Sequence, residues 1–475
     1  MTRNSTIMAH AGGATHSTPA RRFSPDPPST GKRKGHHDAY AGHHRTKKQK
    51  FASADSETRI RVHTLKPKLR THREWEHRHT RSFGGNDGGR PKLRRRRTRC
   101  RRKWTYSTRD VSDYKDRVVI VSYNILAAEN ARNHPELYRD VRPKHLDWEY
   151  RKNILCKEIK KYQASVLCFQ EVDHFDDLND CLGEDGFRGL YKARGGEARD
   201  GCAIFWKSEL FTLLHEENIE FARFGLRQNI AQFCVLKMNK DLASTDDIAQ
   251  PPCVITSPSL LVGNIHVLYN PKRGDIKLGQ MRIFLEKAYE LSQQYGQIPV
   301  ILTGDLNSLP QSAIYQFLAS SELNFRQFDR THMSGQIFPS RFLEPKFKVN
   351  HVTSSLMNRW TEEEIMLATG SRLGGNRSLT HHLKLSSAYS EVPGSSEVRD
   401  RTGEPLATSY HSFFCGTVDY IWHTPDLFPV RVLETLPMTS LKQTGGLPSK
   451  QWGSDHLAIA CELALRRRRR KKFLS

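Results

Sequence analysis

Polar side chains that could bind a metal ion or transfer a proton follow apolar runs in this sequence. Asp305 and Asn307 come after the run 298–302 and the turn residue Gly304. Such a run, bounded by turn residues, indicates a strand buried on both faces. Alternation places both side chains on one side of the chain, just beyond the strand's carboxyl end, where α/β sheets build their sites. A capped turn before a helix would also explain this pair, so other positions must decide.

The same signature recurs at other predicted strand ends, at Asn124, Glu171, Asn264, His266, Asp419, Asp455 and His456. Mg²⁺ needs few hard oxygen ligands because it keeps several waters, and Glu171 follows a buried strand directly. Asp419 lies inside the otherwise apolar segment 417–422, and a buried carboxylate needs a partner, so we predict that it orients a histidine. An exposed strand-end glutamate and an Asp bonded to the backbone are the structural alternatives. The sequence has no CxxC or HExxH pattern that would indicate zinc.

Alternating apolar runs and helical spacings predict the elements that position these residues. The predicted strands are 117–127, 164–170, 202–207, 211–219, 230–238, 259–266, 417–422 and 456–463, and the predicted helices are 145–163, 175–182 and 278–295. Along the chain, the predicted strands first alternate with helices, then follow one another as a meander, and then this pattern repeats. This order predicts two packed mixed sheets covered by helices.

The chain has 475 residues and a net charge of +24, and its basic residues are concentrated at the two ends. Residues 1–103 carry 28 Lys and Arg against 7 Asp and Glu, and residues 466–472 are all basic. We predict a disordered basic tail over 1–103, a catalytic domain over 104–465 and a second basic tail over 466–475. Within the domain, the polar segment 350–406 is predicted to be a flexible insertion. The tails could bind nucleic acid, direct nuclear import or simply be solvated.

Cysteine usage and hydropathy limit the cellular compartments in which the protein is expected. The nine cysteines form no CxxC pair, which favours a reducing environment. The sequence has no run of 18 apolar residues and no apolar secretory signal region, so we expect no membrane association. Nucleus and cytoplasm are the expected locations.

Five short motifs in fixed order resemble the endonuclease/exonuclease/phosphatase superfamily: YNIL (123–126), QEV (170–172), GDLNS (304–308), DYIW (419–422) and SDH (454–456). Within it, DGCAIFWK (200–207) and NIHVLYNP (264–271) resemble the carbon catabolite repressor type of deadenylase, its plant members in particular. The resemblance covers roughly residues 117–465. It implies a four-layer α/β sandwich, with two mixed sheets flanked by helices and the site at one edge.

The resemblance also implies three groups of site residues: a metal group of Glu171, Asn124 and Asp455; a catalytic group of Asp305, Asn307, His456, Asp419 and His266; and a substrate group of Asn264, Pro271 and Phe414. Glu171 would be the principal ligand of one or two Mg²⁺ ions, for which Mn²⁺ can substitute. Asp305 would manage the proton of the water or leaving group. His456 and His266 would contact the phosphate, and an adenine base would lie between Pro271 and Phe414.

The resemblance implies a Mg²⁺-dependent 3′→5′ exoribonuclease that shortens the poly(A) tails of mRNA, with RNA as its partner. Members with leucine-rich repeats dock into a large deadenylase complex. The resemblance thus implies an adaptor of such a complex as a second partner, but this sequence has no such repeats, which argues against that contact. One alternative is a nocturnin-like phosphatase that acts on an adenine dinucleotide. Another is a non-catalytic RNA-binding protein, although such a protein would have no use for the complete set of polar site residues.

Overall fold

The computed structural model describes residues 101–112, 114, 116–239, 258–336, 360–371 and 378–466. The predicted basic tails lie outside the described residues, apart from 101–103 and Arg466. Arg102 already belongs to the folded domain, since its side chain is 4% exposed and donates to the main-chain oxygens of Glu434 (2.7 Å) and Ala458. The domain therefore begins before the predicted boundary at residue 104. Among the described helices, none is long and apolar enough to span a membrane.

Two large mixed sheets form the centre of the domain. The first sheet has the spatial order β1 (Trp104–Tyr106), β16 (Leu427–Leu433), β17 (Ile459–Leu465), β2 (Arg117–Asn124), β3 (Val166–Val172), β5 (Gly201–Lys207) and β4 (Phe187–Ala193). The second has the order β12 (Ser386–Ser387), β15 (Asp419–His423), β9 (Val300–Asp305), β8 (Ser259–His266), β7 (Ile230–Met238) and β6 (Phe211–Glu220). Two small pairs add β10 (Glu322–Leu323) with β11 (Leu379–Thr380), and β13 (Ser409–His411) with β14 (Phe414–Gly416).

Seven α-helices are present in the described part of the chain: α1 (Ala128–Asn133), α2 (Trp148–Ile159), α3 (Phe175–Gly183), α4 (Gly274–Gln294), α5 (Ala313–Ser320), α6 (Glu362–Thr369) and α7 (Met438–Lys442). Helices α2 and α3 pack on the outer face of the first sheet, and α4 and α5 on that of the second. Asp147 caps α2 by accepting the N–H of Tyr150 (3.0 Å).

Apolar side chains from both sheets meet between them and form a common core: Ile120, Cys168 and Ile204 from the first sheet, and Val262, Ile301 and Ile421 from the second. Because helices cover the outer faces, the central strands are buried on both sides, as their nearly continuous apolar runs predict. All residues of β2 beyond Arg117 are buried. The layers follow the order helix, sheet, sheet, helix, which confirms the predicted four-layer α/β sandwich.

One parallel strand pair in each sheet aligns the strand ends that carry the polar residues. Strands β2 and β3 are parallel and are connected through α2, and β8 and β9 are parallel and are connected through α4. Parallel neighbours require such crossovers, and their carboxyl ends lie at the same edge. Asn124 therefore lies beside Gln170, and His266 beside Asp305.

Parts of the segment 350–406 are integral to the domain, which differs from the predicted flexible insertion. In its described residues, α6 packs against α4, and Ala388 and Tyr389 are buried in the core between the sheets. The hydroxyl of Tyr389 donates to the main-chain oxygen of Leu433 at 2.7 Å. The segment contains few apolar residues, but those that contact the sheets are buried. The prediction of a flexible insertion rested on the average composition of the segment, which does not show these few buried positions. Residues 350–359 and 372–377 lie outside the described residues.

Candidate active site

Glu171 is the most firmly held carboxylate at the sheet edge. It lies at a bulge of β3 in the left-handed region (φ 56°), which turns its side chain towards the strand ends. Oε1 accepts from Asn124 Nδ2 (3.0 Å), and Oε2 accepts from Asn130 Nδ2 (2.8 Å) and the N–H of Ala127 (3.1 Å). Burial opposes its charge, but His266 and the hydrogen bonds from Asn130 and Asn124 outweigh burial and lower the pKa of Glu171 to about 2. The group is a fixed anion at neutral pH.

Asn124 connects Glu171 to Asp305. Its Nδ2 donates to both Glu171 Oε1 and Asp305 Oδ2 (3.1 Å), while its Oδ1 accepts the N–H of Leu126 (3.1 Å). The sequence predicts Asn124 as a metal ligand. In the structure the amide oxygen accepts the N–H of Leu126 and the amide nitrogen faces the two carboxylates, and the role of Asn124 as a metal ligand stays a prediction. Asn124 therefore orients the two carboxylates.

Asp305 ends β9, directly after Gly304, where β8 approaches the backbone so closely that only glycine fits. A Cβ on Gly304 would lie 1.9 Å from the main-chain oxygen of Ile265, at φ 146°. Asp305 Oδ1 accepts the N–H of Asn307 (2.8 Å), which itself has a left-handed backbone (φ 45°). Burial and the nearby charge of Asp419 raise the pKa of Asp305. This carboxyl group is consequently a stronger base than an ordinary aspartate.

His456 and Asp419 form a buried ion pair beside Asp305. His456 Nδ1 lies 2.8 Å from Asp419 Oδ2, and its Nε2 lies 3.8 Å from Asp305 Oδ2. Burial disfavours the imidazolium, but Asp419 outweighs it and raises the pKa of His456 well above the usual value. Strand β17 begins at Ile459, so Asp455 and His456 lie before it rather than at the predicted strand start, and His456 forms an isolated antiparallel bridge with Ser409. The ring thus presents a positively charged N–H towards Asp305.

His266 completes the catalytic group on the other side of Asp305. It ends β8, and its Nε2 lies 3.6 Å from Asp305 Oδ2 and 3.3 Å from Asn307 Nδ2. Asn307 Nδ2 also donates to the main-chain oxygen of Val267 (3.0 Å), which fixes the amide in place. Two imidazole rings therefore flank one carboxylate, in a constellation suited to a phosphate group.

Asn264 is the predicted site residue that the structure does not bring to this cluster. Its Nδ2 donates to the main-chain oxygens of Phe169 (2.9 Å) and Ala203 (3.1 Å), and its Oδ1 accepts from Gln170 Nε2 (2.7 Å). These bonds tie β8 to the facing sheet. Asn264 points to the same side of the strand as His266 but lies two residues deeper, and alternation alone does not reveal depth. It has a structural role.

The cluster lies at the floor of a cleft of about 740 Å³. Glu171, Asp305 and Asp455 line it, and Asp455 Oδ2 accepts from the hydroxyl of Tyr138 (3.0 Å). Such oxygen donors fit a hard divalent cation. Asp305, Asp419 and His456 also have ligand atoms within 4.8 Å of one another. However, Asp419 and His456 are already paired, so the lining carboxylates, with Glu171 first, are the residues that could hold a cation.

The predicted base-binding residues both line the cleft wall. Pro271 is buried and Phe414 is half-buried. Several further residues that line the cleft were not predicted from the sequence, among them Asn130, Tyr138, Arg194, Tyr269 and His411. Most of them come from turns and short segments without periodicity, so no local pattern indicates them. His411 lies three residues before Phe414 in the same strand pair, and that proximity is the one signal the sequence offers.

A two-sheet sandwich with a carboxylate–histidine cluster at its edge defines a class of metal-dependent hydrolases of phosphate esters. The sequence profile of the Endonuclease/Exonuclease/phosphatase family matches residues 121–456, and the chain belongs to this family. The resemblance predicted from the motifs is therefore confirmed.

Similar proteins and structures narrow the comparison. Carbon catabolite repressor protein 4 homolog 5 of Arabidopsis thaliana is 55% identical over 387 residues, which cover 78% of this chain and 83% of the relative. Homolog 3 of the same plant is 46% identical over 365 residues, covering 76% and 78%. The crystal structure of ANGEL2, a 2′,3′-cyclic phosphatase, in complex with adenosine-2′,3′-vanadate is similar with a TM-score of 0.62 at 30% identity; the match covers 78% of this chain and 99% of ANGEL2.

Proposed function

We propose that this protein is a Mg²⁺-dependent 3′→5′ exoribonuclease that shortens poly(A) tails. One observation supports this proposal: a single cleft has carboxylate and histidine side chains suited to phosphate hydrolysis on its floor and an apolar wall suited to a base. Glu171, Asp305 and His456 line the floor, while Pro271 and Phe414 line the wall. A nucleotide bound with its base against the wall would present a phosphate to the floor.

The floor contains the groups that phosphodiester hydrolysis needs. A divalent cation beside Glu171 and Asp455 would neutralise phosphate charge and favour ionisation of a bound water. Asp305, with its raised pKa, accepts the proton of the attacking water. Asn124 and the N–H of Asn307 hold the two oxygens of Asp305 in position. The imidazolium of His456, whose Nε2 lies 3.8 Å from Asp305 Oδ2, would stabilise the charge that develops on the oxygens of a phosphate bound beside Asp305.

The wall accounts for a base preference. A proline ring and an aromatic face can enclose one base, and stacking of this kind contributes ~1–3 kcal/mol per base. Stacking favours purines but reads no hydrogen-bonding edge, so the resulting preference for adenine is moderate. RNA affinity beyond the cleft would come from the basic segments 1–103 and 466–472 through sequence-independent phosphate contacts.

A second candidate is hydrolysis of a 2′,3′-cyclic phosphate at an RNA end. It is favoured by the similarity to ANGEL2, a 2′,3′-cyclic phosphatase whose structure contains an adenosine ligand. Both reactions need the same floor and an adenine-binding wall. They differ in the bond that is cleaved: the internucleotide phosphodiester in one, and the cyclic ester of the terminal ribose in the other.

A substrate panel separates these functions. The full chain is incubated with 5′-labelled oligo(A) ending in a 3′-hydroxyl, the same oligo(A) ending in a 2′,3′-cyclic phosphate, oligo(U), and NADPH, each with Mg²⁺ or with chelator. We expect a Mg²⁺-dependent ladder of shortened oligo(A). Opening of the cyclic end without shortening would establish the second candidate instead. Turnover of NADPH alone would indicate a dinucleotide phosphatase, and binding without any turnover would indicate a non-catalytic RNA-binding protein.

A further inference from the structure

His411 lies on the cleft wall between the base end and the phosphate end. It ends β13, its side chain is almost fully buried, and its ring lines the cleft. The ring centroid lies 5.9 Å from that of Phe414 and 6.5 Å from that of Tyr138. Tyr138 in turn donates to Asp455 (3.0 Å). A continuous series of side-chain contacts therefore connects the proposed base-binding wall to the carboxylate floor, in the order Phe414, His411, Tyr138 and Asp455.

The proton of this ring is located by a main-chain contact. The N–H of Phe413 donates to His411 Nδ1 at 3.3 Å, so Nδ1 is an acceptor and a neutral ring carries its proton on Nε2. Burial lowers the pKa of His411 and favours this neutral form. Nε2 makes no hydrogen bond with any residue that the structure describes. A ring nitrogen at a cleft surface with its donor unused is suited to a ligand oxygen.

The ligand group that fits this position is a sugar. In a nucleotide the ribose lies between base and phosphate. His411 lies between Phe414, on the wall proposed for the base, and Tyr138, which donates to Asp455 on the carboxylate floor. We propose that His411 Nε2–H donates a hydrogen bond to the 2′-oxygen of the bound nucleotide, so that His411 selects ribose over deoxyribose. The inference rests on the proposed function, because it assumes a nucleotide bound with its base against Phe414.

The alternative is that His411 only fills space between two aromatic rings. His411→Phe distinguishes the two roles, because phenylalanine keeps a ring of similar size but has no N–H. His411→Asn is the second variant, since its amide oxygen can accept the Phe413 N–H. The substrates are oligo(A) and the same oligo(A) with one 2′-deoxy residue at the 3′ end. Each variant and the wild-type protein are measured on both, with melting temperature as the folding control.

We expect the wild-type protein to prefer the ribose end by roughly 3- to 10-fold in kcat/KM, the range of one neutral hydrogen bond. His411→Phe should lose this preference, with a reduced rate on the ribose end and a rate within about twofold on the deoxy end. If His411→Phe loses kcat/KM equally on both substrates, the role of His411 is purely structural. If His411→Phe unfolds, the same comparison is made with His411→Asn. A wild-type protein that cuts both ends equally overturns this inference alone. One that cuts neither overturns the proposed function, and this inference with it.

Discussion

Removing either central carboxylate should abolish catalysis without unfolding the domain. We expect Glu171→Ala and Asp305→Ala each to reduce turnover at least ~100-fold, the scale for loss of an electrostatic or proton-transfer group. The melting temperature of Asp305→Ala should hardly fall, because burial and Asp419 disfavour the charge of Asp305 in the folded protein. Glu171→Ala should melt at a lower temperature but remain folded, because three hydrogen bonds to the carboxylate are lost. Glu184→Ala, at an exposed position outside the cleft, is the matched control. Near-normal turnover in Glu171→Ala or Asp305→Ala would contradict the site assignment.

The pH dependence of the reaction should reveal the ion pair of His456 and Asp419. In the wild-type protein Asp419 keeps the pKa of His456 well above its ordinary value, so the ring stays protonated through neutral pH. In Asp419→Asn the largest favourable charge is removed while Asp455 and Asp305 remain, so the pKa of His456 falls towards its ordinary value. We therefore expect kcat/KM of the variant to decline from pH 6 to pH 8, while the wild-type protein shows no such decline. Parallel pH profiles would argue against a charged His456.

The sequence predicts most accurately the strands that are buried on both faces. The apolar runs of β2, β3 and β9 follow from their position between a second sheet and a layer of helices, and the polar residues at their ends converge because parallel neighbours share an edge. The roles of individual residues were less accessible. Alternation gives the face of Asn264 but not its depth, and the direction of the Asn124 amide depends on the N–H of Leu126. Tyr138 and His411 reach the cleft only through tertiary contacts.

Helix α4 places a lysine in the core, and this should leave a signature in stability. Lys277 is fully buried, its Nζ donates to the main-chain oxygen of Asn307 (2.7 Å), and burial lowers its pKa from 10.5 to about 7. Between these pH values the unfolded chain binds more protons than the folded one, so the free energy of unfolding rises with pH. Relative to Lys277→Met, the wild-type protein should gain on the order of 4 kcal/mol over this window.

Urea denaturation at a series of pH values from 6 to 10.5 measures this difference. Exposed Lys161 provides the control, because Lys161→Met should follow the wild-type curve throughout. If the curves of the wild-type protein and Lys277→Met run parallel, the ammonium group is not desolvated as the structure indicates.

The pair β13–β14 positions Phe414 in the wall proposed to bind a base, so a change there should alter substrate choice. We expect Phe414→Ala to raise KM for oligo(A) and to narrow the oligo(A)/oligo(U) ratio, because a stacking face is lost. The Mg²⁺ dependence should stay the same, since the carboxylate floor is untouched. Phe224→Ala, an exposed aromatic outside the cleft, serves as the control. An unchanged ratio, or simple unfolding, would make Phe414 a structural residue and misplace the base pocket.

At the scale of the whole molecule, the basic residues are concentrated at the two ends of the chain, whereas the candidate site residues lie in the domain between them. Removing residues 1–100 and 467–475 should leave a folded, active domain, and these limits retain Arg102 and Arg466, which are bonded to it. RNA affinity should fall and its salt dependence should flatten, because Lys and Arg that neutralise phosphates release counterions. Binding of labelled oligo(A) at several salt concentrations measures this. An unchanged salt slope would show that the basic tails do not contact RNA.

We propose that a cation held at Glu171 supports hydrolysis at the 3′ end of RNA. The most direct measurement is the rate of AMP release from oligo(A) as a function of Mg²⁺ concentration, for the wild-type protein and Glu171→Ala. We predict saturable dependence on Mg²⁺ and no release with chelator in the wild-type protein, and a loss of at least ~100-fold in the variant at every Mg²⁺ concentration. Equal release with chelator, or equal release by Glu171→Ala, would contradict the account.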